Sequence, residues 1–271
     1  MTSKQTSIRT GAVLLALALA SLTPAVEGAA GQNRRSLDRL RRDTHTQAYS
    51  FVVTGDNRDG DGVLDRILAK AGDFSPRFAL HTGDFVPAGG QQDYLRFLGR
   101  VQRLPYPLLP ALGNHDAIGQ GRRWYQRYFG EPEFAFNYGP DRFIFVDNSN
   151  AAVSPKQLQR LRAELEKPAR YRFVIMHMPP GNLIWFHAFN QGAREMVQLI
   201  ESHKTQYVFM GHIHIYDEMV SNSTHYLISG GAGAPLYRMP LYFSPEGGAF
   251  HHFTLIQVSP KGIKTKVVKT G

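Results

Sequence analysis

The chain has 271 residues, 42% hydrophobic and 20% charged, the make-up of an ordinary globular protein with room for one substantial core. Its 31 basic residues against 22 acidic ones give a formal net charge of +9. The lack of any cysteine excludes disulfides and the modified thiol of a bacterial lipoprotein anchor.

In chain order, Lys4 and Arg9 precede an uncharged apolar run from Gly11 to Ala20, and the small residues Gly28, Ala29 and Ala30 follow. That pattern predicts a secretory signal peptide over residues 1–30, cleaved near Ala30, and so a periplasmic or secreted protein. The run is shorter than the roughly 20 residues of a spanning helix and no other segment qualifies, so no membrane span is expected in the mature chain. Residues 31–47 hold Arg34, Arg35, Arg39, Arg41 and Arg42 against Asp38 and Asp43. This basic stretch is expected as a solvated linker or exposed helix, with weak contact to a polyanion as the functional reading.

The remaining residues, 48–271, read as one domain of alternating short apolar runs and helical patterns. Strands are predicted at Tyr49–Thr54, Phe78–Thr82, Leu108–Leu112, Phe134–Tyr138, Phe143–Asp147, Phe173–Met176 and Tyr207–Met210. Helices are predicted through Val63–Leu68, through Tyr94–Val101, from Pro155 to Glu166 behind a Ser154 cap, and from Arg194 to Ile200. Beyond them only strands are expected, at Ile215–Val220, Tyr226–Ile228, Phe250–Val258 and Ile263–Val268, the last two joined by a turn at Ser259–Gly262. Strand-rich stretches both mid-chain and at the end favour two mixed sheets covered by helices over one open parallel sheet.

Five stretches carry chemistry, each placed after a predicted strand: Gly55-Asp56-Asn57-Arg58, Gly83-Asp84, Gly113-Asn114-His115-Asp116, His177 before Met178-Pro179-Pro180, and Gly211-His212-Ile213-His214. Strand ends are where an α/β sheet exposes side chains to a ligand. Hydrolysing a phosphate ester needs an oxygen nucleophile, neutralised phosphate charge and a proton for the leaving group. Two metal ions about 3.5–4 Å apart supply the first two, and mixed carboxylate, amide and imidazole donors suit such a pair. Asn114 cannot titrate and suits coordination through its amide oxygen, whereas His115 suits proton donation. In an extended Gly211–His214 segment both imidazoles would share a face while Ile213 packs away.

In this order the stretches resemble the calcineurin-like metallophosphoesterases, whose motifs run Asp-x-His, Gly-Asp, Gly-Asn-His-Asp/Glu, an isolated His and Gly-His-x-His. The likeness runs from about Ser50 to the C-terminus. It implies a four-layer α/β/β/α sandwich and hydrolysis of phosphate monoesters or diesters by a metal-activated hydroxide. It also implies Asp84 as bridge between two ions, with Asp56 and His214 on one and Asn114, His177 and His212 on the other. His115 would be the general acid or phosphate contact, oriented by Asp116. Mixed ligation of this kind accommodates Mn, Fe, Zn or Co.

One position departs from the pattern. The first motif normally ends in His, and here it ends in Arg58, whose guanidinium has no lone pair for a metal. Either water fills the vacancy, or Arg58 grips the substrate phosphate, or the chain is a catalytically silent phosphate- or metal-binding protein that retains the fold. Purple acid phosphatases also lack this His, but they use a tyrosine three residues after the bridging Asp, where this chain has Pro87. Asn57, Asp59, Asp61, Gly62 and Asp65 form a partial calcium-loop pattern that ends in Leu68 instead of Glu, so capping of the following helix is the expectation. Asn182, Trp185, Phe186, His187 and Tyr237 are candidates for the rim of the site, where aromatics can stack on a nucleobase, sugar or aryl group.

Overall fold

The computed structural model describes residues 31–44, 46–238 and 242–270, so the predicted leader lies outside the described residues. Along the chain run α1 (Gln32–Arg41), β1 (Tyr49–Thr54), α2 (Asp61–Gly72), β2 (Ala79–His81), α3 (Gln91–Gln102), β3 (Leu108–Pro110), α4 (Gly121–Tyr128), β4 (Ala135–Tyr138) and β5 (Asp141–Phe145). These are followed by α5 (Pro155–Leu165), β6 (Arg172–Ile175), α6 (Ala193–Ser202), β7 (Tyr207–Met210), β8 (Tyr216–Ser221), β9 (Thr224–Ser229), β10 (His252–Ser259) and β11 (Gly262–Lys269).

Two mixed sheets result. One has the order β11-β10-β1-β2-β3, the other β4-β5-β6-β7-β9-β8. Strands β1, β2 and β3 are parallel, as are β5, β6, β7 and β9, while β10, β11, β4 and β8 run antiparallel to their neighbours.

The period of two along each strand builds the layers. Phe51 and Val53 of β1 and Phe173 and Ile175 of β6 point into the space between the sheets, where Phe51 stacks on Phe78 at 5.0 Å and meets Phe143, Phe173 and Phe209 edge-on. Val52, one residue along, faces outward to Leu64 and Ile67 of α2 and Tyr94 and Phe97 of α3. Val174 faces the other way, to Leu161 of α5 and Met196 and Ile200 of α6. Each buried phenylalanine contributes about 1.5–3 kcal/mol, and a one-residue slip would turn that face to the helices. The outcome is the expected four-layer α/β/β/α sandwich.

Helix α5 starts as its sequence predicts, with a reciprocal capping box between Ser154 and Gln157 and Pro155 at its first position. Two helices differ from expectation. The basic stretch, expected as a solvated linker or exposed helix, is a helix with one face packed onto the domain: Asn33 donates from its backbone to Phe129 and from its side chain to the Tyr125 hydroxyl, Ser36 reaches the Leu108 carbonyl at 3.4 Å, and Leu40 joins the inter-sheet core. A solvated linker would bury none of these groups. Its arginines 34, 35, 39, 41 and 42 remain exposed. Helix α4 was not foreseen, because in the polar run Gly121–Tyr128 only Gly121 and Tyr125 are buried. In the partial calcium loop Asp61 and Asp65 pair with Arg100 of α3.

Candidate metal centre

The parallel strands end on one side of the sandwich, and the loops leaving them carry the candidate residues: Asp56 after β1, Asp84 after β2, Asn114 and His115 after β3, His177 after β6, and His212 and His214 after β7. Asp84, His177 and His212 each offer a ligand atom, all within 4.8 Å of one another. The Asn114 amide oxygen joins them, 2.9 Å from His177 Nε2 and 2.9 Å from His212 Nδ1. Asp56 and His214 make a second group, with His214 Nε2 3.8 Å from Asp56 Oδ1.

The rings are aimed by bonds to their far nitrogens. His177 Nδ1 donates to the Thr82 carbonyl at 2.9 Å and His214 Nδ1 to that of Pro235 at 2.6 Å, which turns each Nε2 toward the centre. The His177 backbone is fixed by Asn148, whose amide oxygen accepts from the N–H groups of His177 and Met178. Asn148 was missed in the sequence; its one signal is a polar residue directly after a strand.

Close approach of loops requires glycine at two points. A Cβ on Gly113 would stand 2.2 Å from Asp84 Oδ1, and one on Gly211 2.3 Å from Asp56 Oδ2. Asp56, Arg58, Asp84 and His212 all have positive φ, conformations of the kind that concentrate at functional sites. The His212 φ of 68° also corrects the expectation of an extended Gly211–His214 segment. That segment is a chain of tight turns, Ile213 N to Gly211 O and Ile215 N to Ile213 O, which brings both imidazoles inward and buries Ile213 in the core behind.

Burial keeps two of the imidazoles neutral. It is the main cause holding His212 down to about 3 and His214 down to about 4, so both present a lone pair. Burial also opposes charge on His177 and Asp84, but their mutual attraction at 3.4 Å wins: His177 is lifted to about 9 and Asp84 is held well below the usual carboxylate range. Buried oxygen and nitrogen donors converging on one point, with their outer atoms already bonded, fit a small cation.

The sequence profile of the calcineurin-like phosphoesterase family matches residues 35–216. The chain belongs to that family. The family is one of phosphoesterases. Among solved structures, the purple acid phosphatase PPD1 of yellow lupin is similar, with a TM-score of 0.68 and 16% identity over 83% of this chain and 52% of that one. GAP50, the anchor in the inner membrane complex of Plasmodium, gives 0.69 and 16% over 82% and 85% of the two chains. A putative 5′-nucleotidase from Staphylococcus aureus gives 0.51 and 12% over 82% and 53%. These likenesses are of fold, and the chain spans about half the length of the lupin and staphylococcal proteins. A comparison with curated protein sequences gives no match.

Two of the expected roles differ in the structure. Asp116 does not orient the His115 ring. Its buried carboxylate accepts four backbone N–H bonds, from Gly113 and Asp84 on one oxygen and Phe85 and Val86 on the other, at 2.8–2.9 Å. Burial and the Asp84 charge push this carboxyl up to about 7 against the pull of those donors. The His115 ring is held instead by the Pro87 carbonyl, 2.8 Å from Nδ1, at the position where purple acid phosphatases carry tyrosine. Arg58 Nη1 lies 2.8 Å from His115 Nε2. A carbonyl only accepts and a guanidinium only donates, so the proton sits on Nδ1 and Nε2 is an acceptor. In this arrangement His115 supports Arg58 and has no proton to give from Nε2.

Proposed function

We propose that the chain is an exported hydrolase of phosphate esters. In this reading Asp84, His177, His212 and Asn114 hold one metal ion, Asp56 and His214 flank a second and weaker position, and Arg58 meets the phosphoryl charge. The observation that carries the reading is the convergence of the Asp84, His177 and His212 donors within 4.8 Å, closed by the Asn114 oxygen. Ions bound there would activate a water and neutralise phosphate charge.

The protein groups then divide the work. Asp84, in contact with His177 at 3.4 Å and near enough to Asp56 for their charges to interact, suits a shared position. Asn114 ligates without titrating. With one N–H of Arg58 given to His115, its remaining terminal N–H groups suit two phosphate oxygens. His115 fixes the direction of those groups because Pro87 fixes His115. Export rests on the leader pattern of residues 1–30.

The test is hydrolysis of an aryl phosphate monoester and diester by mature, metal-stripped protein titrated with Mn, Fe, Zn and Co, beside Asn114→Ala. Turnover should return with metal and fall on the order of 10–100-fold in the variant, the scale seen for groups that support a metal site. A folded protein that binds metal yet turns over neither ester would favour the silent binding reading. The N-terminus of protein recovered from outside the cytoplasm should follow Ala30; an intact Met1 there would remove the cleavage site, and protein confined to the cytoplasm would remove the export assignment.

A further inference from the structure

Resting on the reading of this site as a phosphoesterase, we infer that Tyr237 and the loop bearing Phe186 form a subsite for an aromatic ring in the leaving group of the ester. The Tyr237 ring lies flat on the His214 imidazole, with centroids 4.4 Å apart and planes at 18°. It is thus one ring-thickness outside the ligand cluster. The His187 ring stands 6.1 Å from it, on a backbone turned to φ 53°. The Tyr237 N–H bonds to the His214 carbonyl, so the tyrosine is tied to the same turn as the imidazole it covers. Tyr237 is 40% exposed, so its outer face is open to a ligand.

The second wall is a loop closed at its base by bonds from Phe189 N to Pro179 O and from Gly181 N to Phe189 O. Its anchor is Trp185, buried, with its indole N–H on Asp217 at 2.9 Å. The same carboxylate accepts the backbone N–H groups of Phe243 and Ser244, which joins this loop to the segment following Tyr237. With Trp185 turned in, its neighbours Ile184 and Phe186 turn out, and Phe186 is 66% exposed.

Scattered exposed apolar residues need no explanation, but these are not scattered. Of the seven large exposed hydrophobic residues among the described ones, Ile184, Phe186, Tyr237 and Phe243 come from these two tethered segments. A wall of flat rings beside a phosphate site favours a ligand with a flat face. A nucleobase and an aryl group share that chemistry.

The metal-loaded wild type, Tyr237→Ala, Tyr237→Phe and Phe186→Ala would be compared on phenyl phosphate, adenosine 5′-monophosphate and ethyl phosphate. In parallel, calorimetry would measure binding of phenylphosphonate and methylphosphonate. Tyr237→Ala should lower the ratio of ring to ethyl kcat/KM about 3–10-fold, the scale of one aromatic stack. Tyr237→Phe should restore it. A loss confined to phenyl phosphate or to the nucleotide identifies which ring the subsite takes. An equal loss on all three esters would mean that Tyr237 acts only through His214, and the subsite would be refuted. If no ester turns over, the function proposed above fails, while the subsite stands on a phenylphosphonate preference that Tyr237→Ala removes and falls on equal affinities. Phosphatidylcholine vesicle binding that Phe186→Ala abolishes, with the ring preference unchanged, would overturn the subsite in favour of a membrane-facing loop.

Discussion

Asp116→Asn separates a scaffolding role from a catalytic one. The carboxylate takes two N–H bonds on each oxygen, from Gly113, Asp84, Phe85 and Val86. An amide of the same shape keeps one oxygen and sets an NH2 against the other two donors. Each buried donor left without an acceptor costs about 1–3 kcal/mol, so two cost about 2–6 kcal/mol before the new NH2 finds its own partners. That is a large part of the roughly 5–15 kcal/mol by which a domain is stable. Urea unfolding of metal-free protein, measured above the value of about 7 to which burial lifts this carboxyl, should show the loss as a lower midpoint. Metal affinity should drop with it, because the loops that carry Asp84 and Asn114 share this anchor. A variant within about 1 kcal/mol of wild type that binds metal normally but turns over slowly would refute the reasoning and return Asp116 to the role of orienting His115.

Arg58→Ala should raise KM about 10-fold or more through loss of a bidentate phosphate contact, while metal affinity changes little; unchanged kinetics would remove Arg58 from the substrate site. His252, buried with its Nδ1 on the Phe250 carbonyl, is held down to about 4 mainly by burial. The unfolded chain takes up that proton near 6.5 and the folded chain only near 4, so stability present above 6.5 is lost as pH falls through this window. The loss is about 3 kcal/mol for this group and should shrink in His252→Gln; an acid unfolding profile identical to wild type would argue against it.

Most of the sandwich was legible because several strands are short apolar runs that stop close to a glycine, as at Gly55, Gly83, Gly113 and Gly211, and because alternate residues such as Phe51 and Val52 must face different layers. The ligand residues were legible for the same reason, since they sit at the stops. Less legible were features that depend on what a loop meets. Nothing in Gly113-Asn114-His115-Asp116 says that the Pro87 carbonyl will hold the His115 ring while Asp116 gathers N–H groups from two loops. Helix α4 is hard to read because it is a polar run of 8 residues with Tyr125 as its one buried side chain, and α1 looks solvated because its contacts are made by Asn33, Ser36 and Leu40 among arginines.

Helix α1 has a bearing on aggregation. The strand β3 is the outermost of its sheet, and a bare strand edge is a template for pairing with another chain. Here Ser36 takes the Leu108 carbonyl, and Tyr125, itself bonded by Asn33, takes that of Pro110. The opposite edge, β11, is guarded by exposed Lys264, Lys266 and Lys269 and needs no cover. A chain shortened to begin at Tyr49 would keep every candidate ligand and still open one flank of the sheet, so it should self-associate through β3 in proportion to its concentration.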